Sequence, residues 1–365
     1  MSVKIKHLKN WYESHERQVS TLSLLAGFVF DSLTLQRIDA LRDNLWLVIN
    51  LLAVGLSIIL LHRQENARRE GALGGRHFWL VNILQFGLGN ILGGFFVLYF
   101  RSGTLAVSWP FLLILLVALV ANELFQKRYA RLVFQISFFY LALFSFAIFM
   151  VPILVHRIGP EVFLLSGVIS LVVLWLFIQA LKRFTKEKFR GAASLQTLVG
   201  AIVTIFLTLN LLYFTNLIPP IPLSLKEAGI YHSLVRSANG DYTLGGEKKG
   251  VLEFLHFRNN VHWINGKTLY AYSAVYSPGS LNTTIVHEWQ YQDQETKKWV
   301  TTTRVPLRLS GGRANGFRTY SAKSSLTPGP WRVNVSTPRG QLIGRINFVV
   351  IPTATESPLV TTVKD

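Results

Sequence analysis

The sequence predicts two parts of different class: an α-helical transmembrane bundle of seven spans, then an all-β, immunoglobulin-like antiparallel sandwich. Three observations predict this. Half of the 365 residues are apolar and only 15% are charged, which is more apolar surface than a water-soluble interior can hide. Up to Leu217 the apolar residues gather into runs close to the roughly 20 residues that cross a hydrocarbon core. Beyond Ile218-Pro219-Pro220-Ile221-Pro222 they recur instead in short alternating runs broken by turn residues.

Taken in order, the predicted spans are 20–36, 45–61, 77–100, 108–125, 132–155, 161–181 and 194–217. The first is interrupted by Asp31 and is read as a retained anchor, because its leader carries Glu13 and Glu16 and no small-residue cleavage site follows. With it in place, the N-terminal segment and loops 62–76, 126–131 and 182–193 hold sixteen Lys and Arg, against four in the loops on the other side. By the positive-inside rule the N-terminus is then cytoplasmic, and seven spans leave the C-terminal part outside. Trp46, Trp79, Trp109 and Trp175 stand near the ends of these runs, where an indole has an apolar face and a wet N–H to satisfy. Polar residues within the runs, such as Asn50, Gln85, Asn90, Asn122 and Gln135, read as helix-packing groups.

The transmembrane domain covers residues 1–218. A proline-containing linker and lead-in is expected over 219–250, stiff and extended so that it lifts the following chain off the bilayer. The sandwich is expected over 251–351, with strands at 251–257, 268–276, 284–291, 301–309, 316–322, 330–337 and 341–351, and a disordered tail over 352–365.

Particular strings of residues then resemble a known family. Gly27–Asn44 (GFVFDSLTLQRIDALRDN), followed by Val286-His287-Glu288-Trp289, 316–323 (GFRTYSAK), 328–333 (PGPWRV) and 340–345 (GQLIGR), is similar to bacterial membrane proteins that end in domain of unknown function 2914. That resemblance implies a proteobacterial inner-membrane protein with a periplasmic β-domain. It implies no activity.

Chemistry is sparse. The absence of cysteine removes thiol catalysis, disulfides and Cys-ligated metal. His232, His256, His262 and His287 fall at no metal-ligand spacing, so neither metal nor cofactor is expected. No nucleophile elbow, phosphate loop or zinc-protease helix motif is present, and the chain is read as non-catalytic. A formal charge of +18 suits nucleic acid, but the basic residues of the helical part lie in its short loops, so lipid is the expected partner.

Strand alternation selects the candidate site. Arg304, Arg308, Arg318, Arg332 and Arg345 take outward positions, and convergence would present forked donors to a carboxylate or phosphate. Tyr320, Trp289 and His287 are the candidate neighbours, whereas Trp331 is expected in the core. The expected partner is an anionic envelope ligand or a periplasmic protein. The alternative is a membrane transporter or lipid-modifying enzyme with its site in the bundle, for which Asp31, Arg37, Asp39, Arg42 and Asp43 are the candidates.

Overall fold

The computed structural model describes residues 41–364 apart from 70–76, 103–104, 125–131, 186–191, 239, 249–258, 279–280, 312, 314 and 356. Among them are six helices: α1 (Leu41–Arg69), α2 (His77–Ser102), α3 (Leu105–Leu124), α4 (Leu132–Val155), α5 (Pro160–Thr185) and α6 (Ala192–Phe214). The expected span at 20–36 lies outside the described residues, as do Asp31, Arg37 and Asp39. Five helices are long and apolar enough to cross a membrane, and the apolar part of α3, Val107–Asn122, is shorter.

Within the helical unit, buried polar groups meet across helices. His62 and Gln135 join α1 to α4 at 3.0 Å, Asn90 donates to Asn50 at 3.3 Å, and Asn122 donates to the Gln85 carbonyl at 3.1 Å. Each bond satisfies a polar group that would be costly to bury unpaired. The outer faces of α5 and α6 are apolar. Leu195, Val199, Val203, Leu207 and Leu211 recur every four residues on α6 and are all exposed, the stripe a lipid-facing helix presents.

The β unit takes in Asn216–Asp365. Its strands are β1 (Ser224–Tyr231), β2 (Ser233–Arg236), β3 (Tyr242–Glu247), β4 (Asn259–Trp263), β5 (Leu269–Tyr276), β6 (Thr283–Gln292), β7 (Trp299–Leu309), β8 (Phe317–Lys323), β9 (Gly329–Ser336), β10 (Leu342–Pro352) and β11 (Leu359–Lys364). They form three sheets, ordered β1-β5-β8, β4-β10-β9-β6-β7 and β11-β3-β2. A seven-strand antiparallel sandwich is therefore too simple, and β4 even runs parallel to β10.

The β1-β5-β8 sheet is the middle layer. One face packs Leu269 and Ala271 against Trp289, Trp331, Val333 and Phe348 of the five-stranded sheet. The other packs Tyr272 and Ala274 against Tyr242 and Leu244 of β3. Covered on both sides, β5 (LYAYSAVY) can be apolar almost throughout, as strands with two buried faces are.

Two expectations about the chain's course are corrected. Residues 224–247 are not a lead-in but contain β1, β2 and β3, and 359–364 form β11 rather than a disordered tail. The proline stretch is not extended: Ile218, Ile221 and Leu223 are buried, and the chain turns through Ile221 N–H to Pro219 C=O and Leu223 N–H to Pro220 C=O bonds.

Candidate functional site

The outward face of the five-stranded sheet is built by register. Glu288 on β6 stands opposite Arg304 on β7 and Asn334 on β9, Gln290 stands opposite Arg332, and Asn334 stands opposite Arg345 on β10. Ordinary alternation keeps Glu288 and Gln290 on this face, while β7 carries one extra residue, Thr302, where its pairing with β6 shifts between Trp289 and Gln290.

The side chains then connect into one network. Arg345 Nε donates to Asn334 Oδ1 at 2.7 Å, and Asn334 Nδ2 donates to Gln290 Oε1 at 3.3 Å. The same oxygen accepts from Arg332 Nε at 2.7 Å. Arg332 also lies over the Trp299 ring, 4.2 Å from its centroid, a stacked guanidinium contact. Arg304 forms an ion pair with Glu288 at 2.8 Å.

Positive charge is in excess here. Partial burial, then the nearby charge of Arg345, pull the Arg332 guanidinium down from its usual value to about 10, against the opposing pull of Glu288. Burial lowers Arg345 in the same direction. Each spends its Nε–H on a side-chain amide, and among the described residues neither forms a salt bridge. Both are thus oriented cations that an incoming carboxylate or phosphate would stabilise.

A model of the family described as Protein of unknown function (DUF2914) matches residues 282–350, from β6 into β10. The chain carries a DUF2914 domain. The match takes in all five arginines of interest and none of the helices. No curated protein matches the chain. Solved structures match only loosely. Two are crystal structures of β-glucosidase from Listeria innocua, one in complex with isofagomine (12% identity, 35% of this chain, 16% of that one, TM-score 0.19) and one with gluconolactone (12%, 34%, 16%, 0.18). A further match is Pseudomonas fluorescens alkylpurine DNA glycosylase AlkC bound to DNA containing an abasic site analog (7%, 84%, 98%, 0.22). The chain thus spans about a sixth of the β-glucosidase.

The remaining candidates of the DUF2914 stretch lie elsewhere. Arg308 shares the outward face but stands opposite Thr284, four residues along β7 from Arg304. Arg318 and Tyr320 sit on β8 of the middle sheet, opposite Ala274 and Tyr272. Tyr320 meets the rings of Tyr242 and Tyr270 at 6.1 and 6.3 Å. The five arginines therefore do not converge as one group: Arg304, Arg332 and Arg345 do.

His287 and Trp289 are core residues, each 0% exposed, so neither can touch a ligand. They belong to a closed chain of hydrogen bonds between the sheets. Trp289 Nε1 donates to Ser321 Oγ at 2.9 Å; Ser321 lies 2.9 Å from His287 Nδ1; His287 Nε2 lies 2.8 Å from Ser273 Oγ; and Ser273 lies 2.9 Å from Thr319 Oγ1. Each imidazole nitrogen thus faces a serine hydroxyl, so the neutral ring donates its one proton to one serine and accepts from the other. A Ser–His pair this deep is structural. Burial depresses His287 to about 4, so it stays neutral.

Of the bundle candidates, Arg42 and Asp43 are described. Arg42 is 83% exposed and bonds its neighbour Asp43 at 3.3 Å, with the acid in the first turn of α1 where the helix dipole favours it. Alternation in the sequence could find Glu288 and Gln290. It gave no sign of Trp299 beneath Arg332, because the β6–β9 pairing that brings Arg332 there is long-range.

Proposed function

We propose that this chain is a non-catalytic, polytopic protein of the bacterial inner membrane, seven spans with a cytoplasmic N-terminus. It presents its β-domain in the periplasm to bind an anionic envelope ligand or an acidic periplasmic partner. One observation carries this reading: Arg332 and Arg345 are partly buried, oriented by amides rather than carboxylates, and set beside a single acid that Arg304 already occupies. A merely solvated surface has no need to hold two guanidinium groups this way.

The face is a sheet surface rather than a deep cleft, which suits a flat or extended anion such as a lipid headgroup array or an acidic polymer. The transporter or lipid-modifying alternative has weaker support. Asn50, Asn90, Asn122, His62 and Gln135 engage one another or backbone across helices, which is what packing requires.

The test uses the full chain in nanodiscs of neutral lipid, titrated with phosphatidylglycerol vesicles and with polyglutamate. Binding should weaken as salt rises and fall at least about tenfold, roughly 1.4 kcal/mol, in the Arg332→Gln/Arg345→Gln double variant. Binding unaltered by both changes would remove the arginine face from the account.

A further inference from the structure

A second concavity of the β unit lies where the edge strands of all three sheets come together. β1, β4 and β11 are each the outermost strand of their sheet, and with β3 and β10 they enclose a cavity of about 300 Å³. That volume is at the small end of those that hold small ligands. It lies mostly outside the DUF2914 match.

Its charges cancel. Glu227 is paired with Lys364 on β11. Glu247 is gripped by three donors: His232 Nε2 at 2.9 Å, the His262 backbone N–H at 2.7 Å and His262 Nδ1 at 2.9 Å. Lys248, also in the lining, is exposed. Two carboxylates and two lysines leave no net formal charge to attract an ion. What the lining offers instead is amide. Asn259, Asn260 and Asn347 all border the cavity, and none makes a side-chain hydrogen bond to another described residue. Each amide offers donors and an acceptor side by side, the complement of adjacent hydroxyl groups.

One wall is aromatic. The Tyr231 ring is seated over bare backbone, since a Cβ on Gly229 would come within 2.9 Å of it and one on Gly246 within 3.1 Å. Tyr272 supports it edge-on, ring centroids 6.1 Å apart. Ile230, Val261 and Phe348 add apolar lining beside it. A ligand with a C–H face for the ring and hydroxyls for the amides fits this combination, and a charged one does not.

We propose that this cavity is a binding site for a neutral saccharide. The site stands apart from the arginine-face reading and holds whether or not that reading does. The experiment is calorimetric titration of the full chain, in nanodiscs free of sugar detergent, with chitotriose, maltotriose and cellotriose, and with trialanine as an amide-bearing control. At least one trisaccharide should bind with little dependence on salt. Asn260→Ala, at an exposed position, should weaken it by about tenfold or more without moving the melting temperature, and Tyr231→Ala should do the same or worse. Arg304→Gln, on β7 three strands from β10, should leave it unchanged, which separates this site from the arginine face. No trisaccharide binding at millimolar concentration, binding of trialanine alone, or binding indifferent to Asn260→Ala would each overturn the assignment.

Discussion

His287 is fully buried between Ser321 and Ser273, burial opposes its charged form, and the pH dependence of the β-domain follows from that. Its folded value is about 4 against an ordinary 6.5. Between those values the unfolded chain takes up a proton that the folded chain refuses, so stability is lost as pH falls through this window and the loss stops below it. The full effect is roughly 3 kcal/mol. Urea melts at pH 7 and pH 4.5 should show this slope, and His287→Gln should flatten it. Trp331 makes the complementary case for volume: it is 2% exposed, with its indole N–H on the Thr327 carbonyl at 2.7 Å. Trp331→Ala should cost about 3–5 kcal/mol in the same melts. At this scale the alternation of side chains was informative, since it put Trp331, Val333 and Val335 inside. It was silent on whether a buried polar group is paired, and so His287 and Trp289 were candidates for ligand contact until their partners in β5 and β8 were known.

Among the elements, connections between strands are as tightly fitted as the strands. A Cβ on Gly311, just after β7, would collide with the backbone carbonyl of Pro278, just after β5. Backbone cannot swing aside as a side chain can, so Gly311→Ala should destabilise the domain by about 1–3 kcal/mol, read as a lowered urea midpoint. The central strands were legible because both faces or one full face of each is buried, which writes itself as an apolar run or a period of two. β1, β2, β3, β4 and β11 were not; β4 falls between the expected strands at 251–257, which lies outside the described residues, and 268–276. β11 leaves Leu359, Val360 and Val363 exposed, so its apolar residues follow no burial pattern. The glycines and polar residues of β1 and β3 serve a cavity rather than a core. Helices α1–α6 were legible for a simpler reason, since lipid-length apolar runs allow few other structures.

For the whole molecule, the exposed apolar stripe on α6 and the interhelical polar bonds suit a bilayer, and the proposed orientation rests on the charge bias of the loops. The proposed ligand-binding role depends on which side the β-domain occupies. The chain has no cysteine, so single cysteines report cleanly. Arg63→Cys in the last two turns of α1 and Ser325→Cys between β8 and β9 are both at exposed positions. The decisive measurement is labelling of these two variants by a membrane-impermeant maleimide in intact spheroplasts and after lysis. The account predicts that Ser325→Cys is labelled in intact spheroplasts and Arg63→Cys only after lysis. The reverse pattern would place the arginine face in the cytoplasm and contradict the proposed role.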